Sequence, residues 1–573
     1  MDVLITDSQV GEAVSQQYVT GQSKGSFRIQ YTKSGTLTTL SHGGNLTAVV
    51  SGCLFGSLND AATIDQASKQ EVGRLALESD GSFAVFILRE GSVTIVTDAG
   101  GSIPIYYAYG PSGFAVGTLV HHVAAASGCT TIDKVSVVDY LFNQTVCYPY
   151  SWYEDVRVVP PGSVCSFSEE EKQVHSYWKP VEPDNLYDRN CDTEEWGQRL
   201  RGQVQRAVHL GIEAKSRGRV MYSGGEDSRA VLSLVPDSFE CTPTTVLDGG
   251  DAHREYELAR RSAELLGRTL EWVPRPQGYY RSMIPERIAR IGPGWDFRHT
   301  HIFGPVAEQF DNVEVVLGGY MADTLFKTLW MSNIRSRPWR PDILLDPIPD
   351  KVIPDFRTGE IGQAALWSDL VAQSQRRRTD HHRRLKEIRP RTAGNWHQRF
   401  PLSNQPHYAH YLSTLRMSNR VIEPFLFHQS YQLAASMPDY CRVEQRAFRA
   451  AFAKGMGRAG MIMTSSGRVP KFSNGGVVGK AVELVARYAR GWPTIKRKLF
   501  TGDSVPQGPW PPDHSGWHPV QPEEHFDDQE SEHARHLLRS ILAKDQTSRF
   551  WKNKKISKGM RVRALALGFD LTS

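Results

Sequence analysis

Cysteine is scarce and scattered in this sequence. Its seven copies (Cys53, Cys129, Cys147, Cys165, Cys191, Cys241 and Cys441) never stand in a Cys-x-x-Cys pair. That spacing argues against a zinc ribbon or a disulfide framework and predicts reduced, mostly buried thiols. Long apolar runs are missing too. None approaches the roughly 20 residues that span a bilayer, and the opening Met-Asp-Val-Leu-Ile-Thr-Asp puts an acid where a signal peptide carries a cation. A cytoplasmic location with no membrane partner is expected. Concentrated charge is also absent. A net charge of +5 spread over 573 residues provides no basic face for nucleic acid. There is no internal repeat. What is present is length: more chain than one hydrophobic core organises, so two or more domains are expected.

Residues 1 to about 178 are rich in Val, Ile, Thr, Ser and Gly. Ser82–Arg89 and Ser92–Thr97, around Glu90-Gly91, read as a hairpin, and Gly110-Pro111 and Pro160-Pro161-Gly162 as further turns. A layered, β-rich unit is expected over 1–180. The polar stretch Lys179–Thr193 reads as a linker. Beyond it, Trp196, Leu200, Val204, Ala207 and Val208 share one helical face, with Glu194 and Glu195 in the first turn. Strand-like runs then alternate with helix-like ones: Val220-Met221-Tyr222, Ser228–Val235, Thr242–Leu247, Glu255–Leu266 ending at Gly267, and Asn312–Leu317. That alternation predicts a doubly wound parallel α/β sheet over 194–480, which binds ligands at the carboxyl ends of its strands. Leu402–Lys454 reads as helical. A C-terminal extension, 481–573, carries Pro506–Pro519 and a basic end, Lys552–Arg563.

Three motifs carry chemistry. In Tyr222-Ser223-Gly224-Gly225-Glu226-Asp227-Ser228 a strand enters, two glycines admit an anion to the backbone, and a helix begins. Backbone N–H groups with the Ser223 and Ser228 hydroxyls suit phosphate, and Asp227 implies a bridging magnesium. The Walker lysine is missing. A strand-to-helix turn with incidental glycines is the alternative. In Val315–Phe326 a buried strand delivers Gly318-Gly319-Tyr320 and then Asp323 to the same sheet edge. Asp227 and Asp323 together form a magnesium pair, Asp323 as a helix N-cap being the other reading. In Gly467–Gly476, Lys471 is placed to offset charge on an α-phosphate or oxyanion, or else is a surface lysine. Arg376–Arg378 with His381–Arg384 reads as the solvated face of a helix. No metal site is expected at Arg298, His299 and His301, which lack an acidic or cysteine partner at ligand spacing.

In this order the motifs resemble the asparagine synthetase family, which includes β-lactam synthetases and lasso-peptide macrolactam cyclases. Ser223–Ser228 resembles its Ser-Gly-Gly-x-Asp-Ser pyrophosphate loop. Gly319–Asp323 is similar to its Gly-x-Gly-Ala-Asp segment, with Met321 for glycine. Arg416–Pro438 resembles a stretch whose acid is replaced by Phe427, and Lys471 with Phe472–Gly475 resembles the catalytic-lysine segment. Asp80–Phe83, Asp98 to Tyr107 and Pro161-Gly162 with Tyr177-Trp178 resemble points of the family's N-terminal domain. The resemblance implies a glutaminase-like (Ntn-type layered) domain followed by an ATP-pyrophosphatase synthetase domain. It also implies ATP and magnesium as cofactors. The ATP site would comprise Ser223, Gly224, Gly225, Asp227, Ser228 and Gly319, the metal pair Asp227 and Asp323, and the catalytic residues Lys471 and Tyr320.

Two departures choose among subfamilies. Asp2 stands where glutamine-dependent members have their nucleophilic cysteine, and Val50–Cys53 replaces Asn-Gly-Glu. Ammonia release from glutamine is therefore not expected. Tyr320 matches the tyrosine of amide-closing members, which pair it with a glutamate; near His407 and His410 no such glutamate stands in sequence. The expected function is AMP-forming synthesis of an amide from a carboxylate and an amine on a small molecule or peptide. Intramolecular closure leads, and a lasso cyclase would add a leader-binding protein and a peptidase as partners. Alternatives are amidation by free ammonia and a non-catalytic nucleotide-binding scaffold.

Overall fold

The computed structural model describes residues 2–7, 19–24, 27–31, 37–42 and 46–471 apart from several short breaks and the segment 328–364, with a few helical residues beyond (481, 485, 563, 564, 566 and 567). Most of the 481–573 extension and Phe472–Gly476 lie outside the described residues.

Two six-stranded sheets, all of whose pairings are antiparallel, fill residues 3–176. One runs Arg157–Val158, Tyr106–Gly110, Gly113–Gly117, Val3–Asp7, Phe27–Tyr31, Val19–Lys24. The other runs Lys172–Ser176, Ser163–Phe167, Ser92–Thr97, Asp80–Arg89, Leu46–Phe55, Leu37–His42. The period-2 pattern of the strands explains the layering. Val3, Ile5, Ala84, Phe86 and Leu88 point into a core shared by both sheets. Phe83, Val85 and Ile87 face the other way, against helices Ala61–Gln66 and Lys69–Glu78. Leu4, Ala108 and Ala115 face helices Val120–Ser127 and Lys134–Asn143. The result is four layers, helix–sheet–sheet–helix.

A five-stranded, all-parallel sheet follows, ordered Glu271–Pro274, Glu240–Leu247, Arg217–Met221, Val315–Leu317, Arg420–Ile422. Both faces are covered. Val315, Leu317 and Ile422 pack with helices Thr193–Ile212 and Glu226–Leu232, while Val316 and Val421 pack with Ile284, Ile288 and Phe303. The doubly wound expectation holds. The reading of Leu402–Lys454 as wholly helical does not: Arg420–Ile422 is the fifth strand. Three residues are too few to show a period, and the pairing with Val315–Leu317 decides the conformation.

The basic run 376–384 is also corrected. It lies on helix Ala365–Ile388, and three of its residues are buried while Arg377 is only partly exposed. Arg378 is fully buried, its Nε 2.6 Å from Asp139 Oδ1, Arg377 pairs with Asp133, and His381 and His382 are buried. This helix clamps the parallel-sheet half onto helix Lys134–Asn143. No helix among the described residues is long and apolar enough to cross a membrane.

Candidate active site

The strand order reverses direction between Arg217–Met221 and Val315–Leu317. At such a switch point the two strand-end loops diverge and leave a crevice. The first loop is Ser223-Gly224-Gly225. Gly224 has φ +69, and a Cβ there would lie 2.7 Å from Ala259 Cα, so only glycine fits. The Gly225 N–H donates to Ser223 Oγ at 3.3 Å, and Ser228 Oγ donates to the Gly225 carbonyl at 3.3 Å.

The second loop, Gly318–Met321, presses against the first. A Cβ on Gly319 would meet the Asp227 carbonyl carbon at 2.9 Å and Ser228 N at 3.1 Å. Met321 takes φ 70, a left-handed turn that a side chain disfavours. Its side chain is nonetheless buried at 3% exposure. The two effects oppose. Glycine would relieve about 1–2 kcal/mol of backbone strain, while losing a buried methionine costs about 2–5 kcal/mol. Met321→Gly is therefore expected to destabilise by roughly 1–3 kcal/mol, read by urea unfolding; a stabilised variant would show that strain outweighs packing.

The loops enclose a cleft of about 280 Å³ whose walls include Ser223, Asp227, Ser228, Gly319, Tyr320 and Glu423. Five predicted site residues thus share one cavity, and Gly224 and Gly225 belong to the loop that carries Ser223 into it. Asp323 is half exposed and joins through Lys327. The Lys327 ammonium, buried at 3% exposure, lies 3.0 Å from Asp323 Oδ1, 3.3 Å from Glu226 Oε2, and against Asp227 Oδ1. The predicted carboxylate pair therefore converges, on a lysine that the sequence reading passed over. Burial and the Asp323 charge push Asp227 up to about 7, against the opposing pull of Lys327. Among the described residues no three His, Cys, Asp or Glu side chains are grouped to hold a metal.

Lys471 is exposed and is not among the cleft-lining residues; its backbone N–H donates to the Gly460 carbonyl at 3.0 Å. Arg229, directly after the first motif, has a clear place. Fully buried on helix Glu226–Leu232, it donates to the Ala459 (2.9 Å), Ile462 and Met463 (3.3 Å) carbonyls. It thus ties the segment leading to Lys471 onto the first loop's helix. Arg229→Met should lower stability by about 2 kcal/mol by stranding those carbonyls, a loss that denaturant unfolding measures.

A glutamate distant in sequence, Glu423, stands beside Tyr320. It directly follows strand Arg420–Ile422, 103 residues beyond Tyr320, and its Oε2 accepts the Tyr320 N–H at 2.9 Å. A Cβ on Gly318 would collide with this carboxylate at 2.2 Å. Burial pushes Glu423 up to about 8, and its Oε1 has no hydrogen-bond partner. The Tyr320 hydroxyl donates to the His407 carbonyl at 2.9 Å and is held well above its ordinary value by burial, then by Glu423. His410 and His301 also border the cleft; burial, then neighbouring histidines, keep both neutral, His410 down at about 4. Arg298 does have an acidic partner, Asp296, at 2.9 Å, and Asp296 also binds Arg563 at 3.2 Å.

Residues 49–178 match the family of the glutamine amidotransferase domain. The match falls on the four-layer half. The chain is also 30% identical over 136 residues to Amidase chry2 of Gibberella zeae, covering 20% of each sequence, so it spans about a fifth of that relative's length. Two solved structures overlap it. One is the allosteric regulatory enzyme of purine biosynthesis, 10% identical, covering 48% of this chain and 74% of that one at a TM-score of 0.22. The other is glutamine phosphoribosylpyrophosphate amidotransferase from B. subtilis, 12% identical, covering 47% and 59% at a TM-score of 0.20.

Asp2, ahead of the matched residues, is engaged by the parallel-sheet half. Its Oδ1 lies 2.8 Å from Arg416 and accepts from Thr118 Oγ1 at 3.3 Å. Other resemblance points also serve the junction between the halves. Asp80 Oδ1 accepts the Gln429 N–H at 3.1 Å, the N–H of Ala99, next to Asp98, reaches His428 Nδ1 at 2.9 Å, and Phe427 stacks on Phe55 at 5.8 Å. Phe427 is therefore packing between the two halves.

Proposed function

We propose that the cleft binds ATP, adenylates a substrate carboxylate with loss of pyrophosphate, and joins the acyl group to an amine. The observation that carries this reading is the meeting, at the switch point of a doubly wound sheet, of a two-serine glycine loop with a second glycine loop and two carboxylates. Ser223 Oγ, Ser228 Oγ and the loop N–H groups offer donors to the leaving pyrophosphate. Asp227 and Asp323 suit magnesium in kind, as oxygen donors from two loops, with phosphate oxygens and water completing the shell. A metal there would screen the phosphate charge, sharing the acidic cluster with Lys327 or displacing it.

Glu423 is the proposed base. A carboxylate pushed up to about 8 takes a proton from an amine near neutral pH far better than a tyrosine held well above its ordinary value. The Tyr320 N–H aims Glu423, and the Tyr320 hydroxyl, tied to the His407 carbonyl, orients rather than abstracts. Lys471 is proposed to offset charge at the α-phosphate from the segment that Arg229 anchors.

Because an arginine and a threonine hold Asp2, we favour an amine supplied directly, with ring closure on one substrate as the leading case. The glutamine amidotransferase domain match favours a second reading, amidation by ammonia. Product analysis tests both. AMP with pyrophosphate formed from ATP and magnesium supports adenylation, whereas ADP with phosphate would refute it. Product formation with ammonium but not with carboxylate substrates carrying their own amine would select the second reading.

A further inference from the structure

The scattered cysteines predict separate thiols, yet folding brings two of them together. Cys191 Sγ and Cys441 Sγ are 2.6 Å apart across 250 residues of sequence. Two sulfurs that merely pack stay about 3.5 Å or more apart, as other packed atoms do, and a disulfide bond is about 2.05 Å, so the two thiols touch more closely than packing alone would bring them but are not bonded. Cys191 ends the linker between the halves, one residue before Asp192 caps helix Thr193–Ile212. Cys441 lies on the short helix Asp439–Arg442 and is fully buried.

Both sides are held in place. The Asp439 N–H donates to the Leu186 carbonyl of the linker at 3.0 Å. Arg442 Nε donates at 2.9 Å to the Leu325 carbonyl, which closes the turn carrying Asp323. The remaining cysteines (Cys53, Cys129, Cys147, Cys165 and Cys241) are each buried, and no second such pair occurs among the described residues.

We propose that Cys191 and Cys441 form a reversible disulfide that staples the interdomain linker to the parallel-sheet half. The reaction needs a small-molecule disulfide such as oxidised glutathione. The half-buried Cys191 attacks it as thiolate, giving a mixed disulfide and releasing one glutathione thiol. Cys441 then attacks the Cys191 sulfur, loses its proton, and expels the second glutathione thiol. Two protein thiols are oxidised and one external disulfide is reduced. Burial, reinforced by Cys191, holds the Cys441 thiol well above its ordinary value, so closure is expected to be slow and faster at higher pH. The closed loop contains both glycine loops and Asp323, and a ring of that length constrains the unfolded chain strongly.

The full chain would be equilibrated with mixtures of reduced and oxidised glutathione, denatured in alkylating agent, and digested without reduction. The expected result is one crosslinked peptide pair, Cys191–Cys441, with five of the seven cysteines alkylated. An unfolding midpoint raised by about 5 °C or more in the oxidised form should accompany it. Cys191→Ser, at the more accessible position, should abolish both the crosslink and the shift. Alkylation of both cysteines at every redox ratio, a stable glutathione adduct on Cys191, or a crosslink to another cysteine would each overturn the proposal.

Discussion

Lys327→Met is expected to lower the stability of the parallel-sheet half by about 3 kcal/mol, with magnesium restoring much of the loss. The lysine is the cation on which Glu226, Asp227 and Asp323 converge, and its ammonium also sits 4.3 Å from the centre of the Phe448 ring. Removing it leaves the buried Glu226 and the largely buried Asp227 facing each other and Asp323 without a cation. Breaking a buried pair from one side costs far more than the pair contributes, because the stranded charge keeps its desolvation penalty. Methionine preserves length and apolar contact, so the effect reports charge rather than volume. Thermal unfolding with and without magnesium distinguishes the cases. A variant as stable as the native chain would mean that the ion cluster does not form. A destabilised variant indifferent to magnesium would mean that these carboxylates do not take a divalent cation, and would remove the metal from the proposed mechanism.

Glu423→Gln should reduce kcat/KM for amide formation by about 100-fold or more, the usual contribution of a general base, while leaving the fold intact. The amide oxygen can still accept the Tyr320 N–H, so the loop keeps its shape. The pH dependence separates this role from a structural one. With Glu423 as base, the native rate climbs with pH through about 8, where the carboxylate ionises, and the variant loses that limb. Stability moves the opposite way. The folded-state value lies above the unfolded one, so the folded protein holds the proton more tightly, and this group's contribution declines as pH rises from about 4.5 through about 8. Glu423→Gln should flatten that decline. An unchanged pH–rate profile would assign the proton transfer elsewhere, His410 being the nearest alternative in the cleft.

Much of this site is legible in one dimension because its two loops are local objects. Ser223–Ser228 and Gly318–Asp323 each follow a short apolar strand directly, and their glycines answer backbone demands: a positive φ at Gly224, and contact with the Asp227 backbone at Gly319. Strand and helix alternation over 217–317 was likewise readable from periodicity. The residues that escaped notice reach the site through pairing with distant chain. Glu423 needs a three-residue edge strand to carry it beside Tyr320, and Arg-Val-Ile has no period to announce one. Lys327, one residue past the second motif, has no local pattern to mark it. Only the approach of the two loops makes it the centre of an acidic cluster.

The sequence by itself determined the two kinds of sheet and the glycine loops, because strand alternation and left-handed turns are properties of neighbouring residues. It also determined that the glycine loops lining the cleft sit at strand ends, since Gly-rich turns follow the apolar runs. The tertiary structure alone decided which charges meet. Arg378 went from an expected solvated face to a buried partner of Asp139, Cys441 to the side of Cys191, and Glu423 to the side of Tyr320. Those meetings depend on helix docking and sheet order over separations of 239, 250 and 103 residues. Burial then shifts proton affinities by removing water, and no local pattern encodes burial of that kind.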